Sequence, residues 1–113
     1  MHLKNFSLIE TAPESGIYVL SPAYDLLPVN VIMPEDKEEF ALTMNGKKTN
    51  LRRNDFLIFA EAAGIPRKAA VTMIRKMVGF VPAWLKLCDE SLLPPDLKQA
   101  LNDLILARAG RIT

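Results

Sequence analysis

With 113 residues, half of them hydrophobic and 24% charged, the chain fits one small domain of ordinary globular balance, with no signature of disorder. Its net charge of +1 supplies no global field for nucleic acid or anionic membrane, and its single cysteine, Cys88, excludes an internal disulfide or a cysteine-rich zinc site. No apolar run approaches the roughly 18–20 residues of a membrane span, Met1 to Asn5 form no signal-peptide core, and one cysteine fits a reducing compartment, so a soluble cytoplasmic protein is expected.

Two halves of different periodicity, 1–51 and 52–113, join near Leu51. Phe6 to Thr11 and Gly16 to Leu20 are β-rich runs separated by Ala12-Pro13-Glu14-Ser15, which favours a turn. Pro22, Pro28 and Pro34 interrupt the next stretch too often for a regular element, and Glu35 to Glu39 reads as a solvated loop. Phe40 to Met44 and Lys47 to Leu51 flank Asn45-Gly46, a strong hairpin signal because both central residues tolerate positive φ.

The second half reads as helices. Asn54 or Asp55 can cap a helix through Phe56, Leu57, Phe59 and Ala60, closed by Gly64. Pro66 belongs in the first turn of the next helix, whose stripe is Ala70, Met73, Ile74, Met77, Val78 and Val81. Pro82 forces a kink or a break before Trp84, Leu85 and Cys88. Pro95 and Asp96 open a last helix carrying Leu97, Leu101, Leu104 and Ile105, with Gly110 as its stop. The expected architecture is α+β in a single domain: two amino-terminal β-hairpins followed by three or four helices.

The first hairpin brings chemistry-bearing residues to one end. If its turn is centred near Pro13 and Glu14, Asn5 pairs opposite the neighbourhood of Pro22, and Asp25 follows just after the returning strand. An amide oxygen and a carboxylate at one hairpin mouth suit Mg²⁺, which takes hard oxygen ligands, often only one or two from protein. Against this stands the commoner use of Asn and Asp at strand ends, as caps and turns.

The segment His2-Leu3-Lys4-Asn5-Phe6-Ser7 resembles the catalytic loop of HipA-like serine/threonine protein kinases, which reads Asp-x-His-x-Lys-Asn and enters a strand. Ser21-Pro22-Ala23-Tyr24-Asp25-Leu26-Leu27 resembles the family's second signature, a Pro-x-Tyr-Asp segment in place of the Asp-Phe-Gly of ordinary kinases. The likeness runs through roughly residues 2–80 and suggests part of the kinase carboxy-terminal lobe. It implies that Asn5 and Asp25 are Mg²⁺ ligands that bridge ATP phosphates. It makes His2 and Lys4 candidates for phosphate contact and places Tyr24 beside the metal-binding aspartate, where a packed ring with a hydrogen-bonded hydroxyl is the simpler role.

The departures from the family pattern are equally specific. The family's spacing places the catalytic aspartate one position before Met1, so no catalytic residue is expected in the chain. Its glycines, Gly16, Gly46, Gly64, Gly79 and Gly110, are too scattered for a phosphate-covering loop. The chain alone is therefore expected neither to bind ATP tightly nor to transfer phosphate. As implied by the resemblance, its partners would be a helix-turn-helix antitoxin and a protein substrate of a type II toxin. The competing reading is a non-catalytic interaction module. Self-association is expected, because a lobe face without its neighbours leaves apolar surface uncovered. Lys47-Lys48, Arg52-Arg53 and Arg67-Lys68 are basic pairs, but without interleaved aromatics they make direct nucleic-acid binding the weaker alternative.

Overall fold

The computed structural model describes residues 3–113. The first hairpin forms from Leu8–Glu10 (β1) and Tyr18–Leu20 (β2), antiparallel, with Leu8 opposite Leu20 and Ile9 opposite Val19. The Ser15 N–H donates to the Ala12 carbonyl at 3.1 Å, which centres the tight turn on Pro13 and Glu14 as expected. Glu10 holds this turn by accepting from the Gly16 N–H at 2.7 Å, where φ is +66°.

The proline-punctuated stretch does contain a regular element, the one-turn helix Val29–Ile32 (α1). So short a helix has no periodicity to read in the sequence, and its support is tertiary. The Asn30 side-chain amide donates to the carbonyls of Asp36 (2.6 Å) and Glu38 (3.1 Å), and its oxygen accepts from Arg108. Val31 is buried. The following charged run is a loop, but Glu39 leaves solvent and turns inward.

At Asn45-Gly46 the turn is present and the two strands are not. Both residues take positive φ (51° and 70°), and the strand pairing is reduced to a bridge between Met44 and Lys47. Side-chain contacts hold this turn in place. Asp55 takes the side chains of Asn45 and Lys47, while Glu39 accepts from the Leu51 N–H at 3.1 Å.

Four longer helices complete the chain: Arg53–Ala62 (α2), Arg67–Gly79 (α3), Val81–Glu90 (α4) and Pro95–Ile112 (α5). The cap of α2 is Arg52, and Asp55 acts from the third helical position by reaching back to the Arg52 N–H at 2.9 Å. Its far end is a Schellman motif, with Ile65 N–H on the Ala60 carbonyl, Gly64 N–H on the Glu61 carbonyl, and Gly64 at φ +73°. Ile65 is thereby delivered onto the small core of Leu57, Ala60 and Ala70.

Pro66 caps α3, and Pro82, in the first turn of α4, separates that helix from α3 at Phe80. On α3 the inward stripe is narrower than the periodicity implies. Ala70 is buried and Ile74 and Val78 partly so, whereas Met73 and Met77 are 58% and 52% exposed. Helix α5 runs through Gly110, whose backbone stays helical, because Arg111 pairs with Glu39 at 2.8 Å and fixes the last turn.

Candidate functional site

The mouth of the first hairpin is built by both candidate signatures. A short 3₁₀ turn, Leu3–Asn5, leads into β1, and the Ser21 N–H donates to the Ser7 carbonyl at 2.8 Å, one step beyond the regular ladder. Tyr24 then closes the mouth. Its hydroxyl lies 2.6 Å from Ser7 Oγ and donates to the Lys4 carbonyl at 3.3 Å. One phenol thus joins the segment carrying Lys4 and Asn5 to the segment carrying Asp25.

Asp25 follows at φ +54°, a left-handed conformation that aspartate tolerates better than most residues. Its side chain is exposed and that of Asn5 half-buried. Neither side chain makes a hydrogen bond or an ion pair with any other described residue. Among the described residues an amide oxygen and a carboxylate are thus without a partner, and both are donor types that a hard divalent cation takes. Among the described residues there is no cluster of three or more His, Cys, Asp or Glu side chains able to hold a metal alone. Lys4 is exposed, and His2 lies outside the described residues.

Two electrostatic centres away from this mouth were not apparent from sequence. Asp55 is 2% exposed, and its carboxylate accepts from Asn45 (2.8 Å), Lys47 (2.9 Å) and the Arg52 N–H (2.9 Å). The Asn45 amide, then Lys47 and the Arg52 N–H, hold its pKa down at about 2. Its place after Arg52-Arg53-Asn54 signalled a helix start, but nothing local signalled the turn docked on it. At Glu39, burial works to raise the pKa, but the Leu51 N–H and Arg111 outweigh it and the group sits below its ordinary value. Burial, in turn, pushes the nearby Arg108 guanidinium down. Of the basic pairs, Lys47 is committed to Asp55 and Lys48 to Glu38 (3.0 Å). No helix among the described residues is long and apolar enough to cross a membrane.

Residues 1–85 match the family described as the HipA-like C-terminal domain. The chain belongs to that family. A search of curated proteins returned no match. The HipA-like match includes both signatures, the hairpin that carries them, α2, α3 and the first half of α4. The rest of α4 and all of α5 lie beyond it.

Proposed function

We propose that this chain is a segment of the carboxy-terminal lobe of a HipA-like serine/threonine protein kinase that carries the metal-facing corner, and that the 113 residues by themselves do not transfer phosphate. The supporting observation is the Tyr24 hydroxyl, which ties the Lys4–Ser7 segment to the Tyr24–Asp25 segment while the side chains of Asn5 and Asp25 have no partner among the described residues. Asn5 and Asp25 would hold Mg²⁺, which when bound neutralises charge on ATP phosphates. Lys4, exposed beside them, is the candidate phosphate contact, with His2 as its companion in the motif. Tyr24 acts as the strut that keeps the two segments in register.

Phosphoryl transfer needs more than this corner. It requires a base that orients the acceptor hydroxyl, a loop covering the phosphates and a lysine on the amino-terminal lobe. None of the 113 residues matches the family's aspartate, and the scattered glycines make no such loop. The test has two arms. Mn²⁺ added as a paramagnetic probe is expected to broaden the amide signals around Asn5 and Asp25, and to stop doing so in the N5A/D25A double variant. A kinase assay with Mg²⁺-ATP and a generic protein acceptor is expected to stay at background. Uniform broadening would overturn the metal corner, and turnover well above background would overturn the inactivity.

A second reading is favoured by the hairpin's surface. Leu8 (68%) and Leu20 (63%) are largely exposed, and so in good part are Ile9 (46%) and Val19 (44%) on the opposite face. Apolar surface on both faces of a two-stranded sheet suits a non-catalytic interaction module, binding an antitoxin or a second copy. Either role is consistent with a cytoplasmic protein.

A further inference from the structure

We propose that the cleft between the α3–α4 elbow and the carboxy-terminal half of α5 is a docking groove for an acidic, amphipathic helical segment of a partner protein. The cleft has a volume of about 270 Å³, with Met77, Val81 and Trp84 on one side and Leu104, Ile105 and Ile112 on the other. Its lining is almost wholly apolar. A second hollow of about 120 Å³ adjoins it across Val78 and is lined by Val71, Ile74, Arg53 and Arg75. Together they form a groove for a row of apolar anchors, the pattern in which a helix presents residues i, i+3 or i+4, and i+7. Met77, half exposed at the lip, has the flexible thioether that lets such a surface repack around its occupant.

Charge selects the occupant. The charged side chains lining the two hollows are Arg53, Arg75 and Arg108, and no carboxylate side chain lines either. Arg53 already donates to the Thr113 carbonyl and Arg108 to Asn30 Oδ1 with Glu39 nearby, so Arg75 is the arginine without a hydrogen-bond or ion-pair partner among the described residues. Arg108 Nε is also buried without a hydrogen-bond partner among the described residues. A segment with apolar anchors and flanking carboxylates complements all of these features. The two longest helices of a second copy complement them less well: α3 carries Arg67, Lys68, Arg75 and Lys76 with no acid, and in α5 Asp96 and Asp103 are balanced by Lys98, Arg108 and Arg111. A bilayer takes up a projecting apolar face, whereas this surface is concave. The α5 wall lies beyond the residues that the family match covers.

Trp84, the only tryptophan, reports on the groove directly. The experiment titrates the full chain with a synthetic helical peptide bearing leucines at i, i+3 and i+7 and glutamates on its outer face. The control is the same peptide with lysines for glutamates. The acidic peptide is expected to give a saturable blue shift of Trp84 emission, and the lysine peptide at least about tenfold weaker binding. Arg75→Glu, at an exposed helical position, should weaken the acidic peptide about tenfold without changing the circular dichroism spectrum. Equal binding of the two peptides, or no effect of Arg75→Glu, would overturn the proposal. So would a Trp84 shift seen only with phosphatidylserine vesicles, or only on raising the protein concentration. None of these outcomes depends on Asn5 or Asp25, so the groove and the metal corner fail separately.

Discussion

Asp55 shows how one side chain can organise two stretches of chain. Its carboxylate caps α2 through the Arg52 N–H and anchors the Asn45-Gly46 turn through Asn45 and Lys47. Those donors favour the charged form, so folding depresses the pKa from 3.8 to about 2. A depressed carboxyl contributes stability that is fully present above its unfolded value and lost as pH falls through the folded one. Glu39, also lowered, adds to the same acid-side loss as pH falls below 4.5. The Asp55→Asn variant is therefore expected to melt below the parent near neutral pH, and by more than an Asn54→Ala control. The gap should narrow as pH falls from about 4 towards 2, as followed by thermal circular dichroism. A gap independent of pH would show that the charge is not what Asp55 contributes. Sequence placed Asp55 at a helix start, but its partners at 45 and 47 came only with the fold.

At the scale of elements, local signals were most informative where local geometry decides. The Pro13–Glu14 turn, the Gly64 stop and the break at Pro82 all follow from backbone preferences readable in a few residues. They failed where a distant partner decides. Gly110 reads as a stop, yet α5 passes it because Glu39 holds Arg111 one residue further on. The strands beside Asn45-Gly46 reduce to a single bridge, and the Leu51 N–H bonds to the Glu39 carboxylate instead of to a partner strand. Gly64 offers the cleanest test. A Cβ there would meet nothing within 4 Å, so Gly64→Ala carries only the cost of φ +73°. The expected loss is about 1 kcal/mol, read as a lower urea midpoint at unchanged m-value.

The whole molecule is extended. Its radius of gyration is 16.5 Å, against about 13 Å for a compact chain of this length. The packing runs α2 on α3, α3 on α4, and α4 on α5, with α1 and α2 also touching α5, while the strands pack chiefly on each other. An isolated two-stranded hairpin is marginal in water, so this one gains from any surface that covers Leu8, Ile9, Val19 and Leu20. Static light scattering of the isolated chain is expected to give a mass above one copy that rises with concentration. Leu8→Lys combined with Leu20→Lys should return it to monomer without disturbing α2–α5. A clean monomer at high concentration would count against self-association through the hairpin.

The sequence by itself determined what is local: the hairpin turn, the helix punctuation, the α+β order and the two short signatures that tie the chain to its family. Backbone sterics and capping act within a few residues, so they can be read in order. Tertiary structure alone decided that Tyr24 bridges Lys4 and Ser7, that Asp55 docks the Asn45-Gly46 turn on α2, and that Met77 and Trp84 face α5 across a groove. Each of these joins positions well apart in the chain. Periodicity shows which residues are apolar, but not which of them find a neighbour.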